Sequence, residues 1–123
     1  AASRIRFLAL DALGAPMPPA DIVLFKSVLH DWPDEAVSLM LANARKSLAP
    51  GGRLVIFERC LDDDGAGVGS AELSYGYAPL LLFVQGFRTP ERFAGLLAEA
   101  GFVPEQLITF RLDTRFCLIV ARR

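Results

Sequence analysis

DIVLFKSVLHDWPDEAVSLMLANARKSLAPGGRLVIFER, residues 21–59, decides the fold. Its opening residues, 21–27, are rich in β-branched side chains and nearly continuous in apolarity, the pattern of a strand in a sheet covered on both faces. After Pro33 the spacing changes. Val37, Met40, Leu41, Ala44 and Leu48 recur at helical intervals and mark one apolar face. Asp34 and Glu35 suit the positive end of a helix dipole, and Arg45 and Lys46 suit the negative end. Pro50-Gly51-Gly52 stops the helix, and 53–58 (RLVIFE) reads as another buried strand.

Upstream, segment 5–10 (IRFLAL) reads as a short strand ending at Asp11, followed by a connection rich in Gly14, Pro16, Pro18 and Pro19. Downstream, 62–70 (DDDGAGVGS) is acidic and glycine-rich and reads as a loop, and the apolar stretch 71–85 reads as helical. Thr89 can cap a helix whose first residue is Pro90 and whose apolar face holds Phe93, Leu96, Leu97 and Ala100. Gly101 closes that helix, with Phe102 placed to pack back on it. Segments 106–111 and 116–121 read as strands, and the turn with Asp113 and Thr114 makes them an antiparallel hairpin. Strands alternating with helices indicate an α/β sheet. Such sheets hold ligands at the carboxyl ends of their parallel strands. Asp11, His30-Asp31 and Glu58-Arg59 lie at those ends.

The composition narrows the function. With 123 residues the chain makes one domain. Thirteen basic and 14 acidic residues leave a net charge of −1, which excludes a generic polyanion or nucleic-acid binder. Hydrophobic residues at 53% exclude disorder. The mean hydropathy of +0.37 is high for so small a chain, and calls for a membrane, a partner or membership of something larger. The membrane fails: the apolar run from Tyr75 to Phe87 is interrupted by Gly76, Pro79 and Gln85 and is shorter than the roughly 20 residues a span needs. No signal peptide is visible, so a cytoplasmic location is expected. Cys60 and Cys117 have no metal-type spacing, so no metal is expected. They read as two buried thiols, with a single disulfide as the alternative.

His30 is the single histidine and sits between a strand and a helix, where it can serve as a general base or as a structural residue. Were the two strands neighbours, Glu58 would approach the imidazole and favour its charged form. Asp11 can accept a hydrogen bond from a ligand or simply start the following turn. Lys26, inside an apolar strand, either meets a ligand carboxylate or reaches solvent at the strand end. No glycine-rich phosphate-loop pattern occurs, so Gly51-Gly52 is a helix stop only.

Taken as a whole, the strand, the LHDW element, the amphipathic helix, the PGG turn and the strand ending in Glu resemble the S-adenosylmethionine-dependent small-molecule O-methyltransferases of the caffeate, hydroxyindole and polyketide types. The likeness continues upstream through RIRFLALDAL and downstream through GFRTPERFAGLLAEAGF to the final strand pair. It implies an α/β, partial Rossmann-like methyltransferase fold: strands three to seven of a seven-strand sheet of order 3-2-1-4-5-7-6. It also implies that His30 takes a proton from a phenolic or similar hydroxyl, beside Asp31 and oriented by Glu58. Asp11 and Ala12 would lie by the adenosine of the S-adenosylmethionine cofactor, and Lys26 near the same cofactor. Gln85, Phe83 and Phe87 would face the acceptor.

Two positions depart from the family pattern. Phe87 stands where many members carry a second carboxylate beside the base, and Leu10 stands where a glycine usually precedes the Asp. The resemblance further implies that residues 1–123 are the C-terminal part of a catalytic domain, without the glycine-rich cofactor loop and the dimerisation domain, so the isolated chain is expected to bind the cofactor weakly or not at all and to be weakly active or inactive. The implied partners are a small hydroxyl acceptor and a second copy. Segment 5–10 would then either slide to pair with 21–27 or join two chains through those edges. The alternative function is a non-catalytic, methyltransferase-derived association module.

Overall fold

The computed structural model describes residues 4–61, 87–112 and 114–123. The expected loop at 62–70 and helix at 71–85, with Phe83, Gln85 and Asp113, lie outside the described residues. Four strands and two helices carry the fold: β1 (Ala20–Lys26), α1 (Asp34–Ser47), β2 (Leu48–Arg59), α2 (Pro90–Glu99), β3 (Val103–Arg111) and β4 (Arg115–Arg122). A single 3-10 turn, Leu29–Asp31, joins β1 to α1.

The sheet order is β1-β2-β4-β3. β1 and β2 are parallel, while β4 is antiparallel to both β2 and β3. These are the last four positions of the order the resemblance implied, and 106–111 and 116–121 do form the antiparallel hairpin. Alternation sorts the side chains to two faces. Val23, Phe25, Leu54, Ile56, Ile119 and Ala121 point to the helices and are buried with Val37, Met40, Leu41, Phe93, Leu96 and Leu97. Ile22, Leu24 and Ile108 lie on the opposite face and are exposed. The helices cover one face only, so the expectation of a doubly covered β1 does not hold for the described residues.

Segment 5–10 is a correction. It is not a strand and pairs with nothing in the sheet, and Phe7 is 93% exposed. A strand needs a neighbour for its amides and carbonyls, whatever its side chains prefer. The connection that follows is held by polar contacts instead. Asn43 donates to the carbonyls of Ala12 and Leu13, and the Ser47 hydroxyl donates to that of Met17.

The helix signals read well at α2 and less well at α1. Thr89 accepts from the Arg92 amide, and Pro90 opens α2. At the other end Gly101 takes φ 84°, and the amides of Phe102 and Gly101 close on the carbonyls of Leu97 and Ala98, the glycine C-cap with its buried hydrophobic follower. α1, however, ends at Ser47, before Pro50-Gly51-Gly52, and β2 already begins at Leu48. The glycines lie in a bulge: a step of two residues along β1, from Ala20 to Ile22, faces a step of five along β2, from Leu48 to Arg53. Gly51 takes φ 76° there, and a Cβ on Gly52 would stand 2.9 Å from the Ala49 carbonyl oxygen and 3.0 Å from that of Asp21. Backbone cannot yield as a flexible side chain does. Gly52→Ala is therefore expected to destabilise the chain by about 1–3 kcal/mol in urea unfolding, with the m-value unchanged.

Candidate active site

β1 ends in a backbone reversal. Ser27 adopts φ 53°, a left-handed conformation disfavoured for a residue with a Cβ, while its amide still bonds the Phe57 carbonyl at 3.0 Å. The reversal turns the next two amides toward β2. Val28 and Leu29 both donate to Glu58 Oε1, each at 2.7 Å. The other oxygen, Oε2, lies 2.7 Å from His30 Nδ1. The Glu58 side chain is wholly buried, so these partners satisfy a carboxylate that water cannot reach.

The imidazole is thereby set in one state. Glu58 can only accept, so the Nδ1 proton points to it and the lone pair of the neutral ring is on Nε2. The His30 side chain keeps 16% exposure, and Nε2 lies 3.4 Å from Oδ1 of the half-exposed Asp31. Phe87, itself buried, sets its ring 5.4 Å from the imidazole at 58°. The hydrogen bond that His30 donates to Glu58 raises its pKa above 6.5. Burial opposes this, the charges of Glu58 and Asp31 reinforce it, and Arg59 opposes it.

His30, Asp31 and Glu58 are therefore brought together, as the sequence implied for neighbouring strands. The residues assigned to the cofactor stand apart from this trio. Asp11 is exposed and its Oδ1 accepts from the Leu13 amide, starting the turn that follows. Lys26 reaches solvent on the open sheet face, with its ammonium 5.8 Å from the centre of the Phe57 ring. Cys60 and Cys117 are buried and unbridged. Hydrogen bonding to Cys60 and burial push the Cys117 thiol far up, which makes it unreactive. Among the described residues no group of His, Cys, Asp and Glu could hold a metal, and no helix is long and apolar enough to cross a membrane. A cavity of about 480 Å³ lies at the start of β1, beside Asp21 and Lys46, at the far end of the sheet from His30.

Sequence reasoning missed Arg88. It is buried and donates from Nε to Asp34 Oδ1 at 2.6 Å, from one terminal nitrogen to the Leu29 carbonyl at 3.0 Å, and from the other to the Trp32 carbonyl at 2.7 Å. Arg92 holds the second Asp34 oxygen at 2.7 Å. Burial alone would lift the Asp34 carboxyl, but the hydrogen bonds from Arg92 and Arg88 outweigh it and hold the carboxyl below its usual value. A signal was present: an Arg directly before a helix cap, in a segment otherwise given to packing.

A histidine oriented by a buried carboxylate at the carboxyl end of a parallel strand has a ring nitrogen, Nε2, that can accept a proton. The comparisons with known proteins give the chain a family. The O-methyltransferase domain model matches residues 1–103. The chain is 38% identical over 99 residues to mouse acetylserotonin O-methyltransferase, covering 80% of this chain and 25% of that protein. It is 38% identical over 106 residues to 3-amino-4-hydroxybenzoate 4-O-methyltransferase of Streptomyces cremeus, covering 84% of this chain and 28% of that one. The structure of human N-acetylserotonin methyltransferase in complex with SAM superimposes with a TM-score of 0.76 at 31% identity, over 98% of this chain and 34% of that one. The chain belongs to the O-methyltransferase domain family, whose methyl donor is S-adenosylmethionine, and it spans about a quarter to a third of the length of these relatives.

The raised pKa has a definite sign. His30 binds its proton more tightly in the folded chain, so its contribution to stability is complete below about pH 6.5 and is lost as the pH rises through the raised value. In Glu58→Gln the charge goes and one amide oxygen is left for the three donors that shared two carboxylate oxygens, while burial remains. The imidazole midpoint, read by NMR from the chain's single histidine, is expected to fall to 6.5 or below, and the pH dependence of stability in that window should vanish or reverse.

Proposed function

We propose that residues 1–123 are the C-terminal part of the catalytic domain of an O-methyltransferase, one that methylates a hydroxyl of a small, aromatic molecule. His30 is its general base, and one observation carries the reading: Nδ1 is fixed by a buried carboxylate while Nε2 is left to the acceptor. Nε2 takes the proton of the acceptor hydroxyl as its oxygen becomes a nucleophile. The positive charge that forms on the ring is balanced by Glu58 and Asp31. Phe87 covers one side of the ring and keeps water from it. S-adenosylmethionine, when bound, would supply an electrophilic methyl on a sulfonium whose sulfur becomes a neutral thioether, so one base and good alignment suffice. Asp11 fits the donor's hydroxyls or amine, because one carboxylate oxygen remains beyond that used by Leu13. Ala12 follows in the same turn, and Lys26 stands at the end of β1, where its ammonium could meet a charged group of the donor. In the enzyme that carries this segment together with its cofactor loop, His30→Gln is expected to lower kcat for a phenolic acceptor by about 10²–10⁴-fold, with donor affinity in calorimetry unchanged. Measurable and equal turnover in both forms would remove His30 from the mechanism.

A second reading, an association module, is supported by the outer edge of β1 and by the exposed apolar side chains of Ile5, Phe7, Ile22 and Leu24. Two copies would meet through 5–10 and 21–27. Sedimentation should show a concentration-dependent dimer that Phe7→Lys with Leu24→Lys reduces to monomer; a chain monomeric throughout removes this reading.

A further inference from the structure

The geometry points to Arg88 as the positioning residue for His30: its guanidinium locks the two carbonyls that flank the histidine to α1 and α2, and so holds the imidazole against Glu58. The designation of His30 as a base rests on the methyl-transfer reading above, while the positioning itself is read without turnover.

The 3-10 turn that carries His30 has no side-chain cap. Its polar groups are satisfied from two sides. Glu58 takes the donors, the amides of Val28 and Leu29. Arg88 supplies the acceptors' partners, at Leu29 and Trp32. Leu29 is thus held by its amide from below and by its carbonyl from above, one residue before His30. Three donors of one planar group serve three acceptors in fixed directions, a pattern that the point charge of a lysine cannot reproduce.

Arg88 can impose this geometry because it is anchored itself. Its own carbonyl accepts from the Leu61 amide at 2.9 Å, three residues beyond Glu58 on the same run of chain. Its neighbour Thr89 caps α2, and its guanidinium lies 5.7 Å from the centre of the Phe93 ring in the core. Asp34, at the start of α1, closes the clamp. The base therefore sits between two rigid supports, the end of β2 and the start of α2.

A merely electrostatic or merely structural role predicts something different. The charged groups facing His30 are Glu58 and Asp31, which favour its cation, and Arg59, which opposes it. Removing a cation such as Arg88 without moving the ring would raise the His30 midpoint. Losing the position of the ring against Glu58 lowers it.

The test is an NMR titration of the single imidazole in the full chain, with its tautomer read from ring 15N shifts. In Arg88→Gln the midpoint should fall toward 6.5 and the Nδ1–H tautomer lose its dominance. Arg88→Lys keeps the charge and should show the same direction with a smaller shift. Arg92→Gln also loses an Asp34 contact but does not touch the turn, and should leave His30 unchanged. In catalytic assays Arg88→Lys should lose on the order of 10²-fold in kcat with little change in KM. A raised or unmoved midpoint in a folded Arg88 variant overturns the proposal. Should neither variant fold, the Nε–H of Arg88 decides in the wild-type chain: protection from solvent exchange supports the clamp, and free exchange overturns it. The imidazole readouts need no turnover, so they decide the positioning role of Arg88 separately from methyl transfer.

Discussion

A buried carboxylate has to be answered by donors, and Glu58 organises this end of the molecule by that demand. It lies at the end of β2, on the helix face of the sheet, where no water serves it. The amides of Val28 and Leu29 and the ring of His30 all come from the segment that follows β1. Parallel pairing of β1 with β2 brings that segment within reach, and the reversal at Ser27 aims it. Replacing such a group leaves its partners buried and unpaired, which costs more than the net worth of any one hydrogen bond. The site and the strand pairing are thus held by the same contacts.

Much of this was legible in the sequence because it rests on local patterns. The period of 21–59, the cap at Thr89 and the stop at Gly101 are decided by neighbouring residues. The proximity of His30 to Glu58 followed once the two strands were taken as neighbours. What escaped reading depends on distant partners. Segment 5–10 has strand-like side chains, yet a strand exists only where another strand accepts its hydrogen bonds. The PGG run looked like a helix stop, whereas its glycines answer to the crowding of β2 against the Asp21 carbonyl. Arg88 was passed over because its acceptors lie more than 50 residues earlier in the chain.

The two faces of the sheet explain the surplus of apolar residues. One face is closed by α1 and α2 and contains the core. On the other, Phe57, Phe110 and Phe116 stack within 6.0 Å of one another, and Lys26 and Arg59 lie over their rings. Cations laid on aromatic rings cover apolar surface while staying hydrated, and that tempers an otherwise exposed patch. Among the described residues the sheet thus carries apolar side chains on both sides and helices on one.

The strand order also bears on how the chain comes to be folded. β4 lies between β2 and β3, so until residues 115–122 arrive β2 lacks its second hydrogen-bonded partner and β3 lacks its first. Closure is reinforced at the same point, where Arg123 donates from its amide to Gly52 and from its side chain to the Leu48 carbonyl. A ribosome releasing the chain from its amino end would therefore have exposed β1 and β2, with Glu58 among them, well before the sheet could be completed. Contacts between residues so far apart in sequence close slowly, and until they close the edge of β2 that β4 covers stays open.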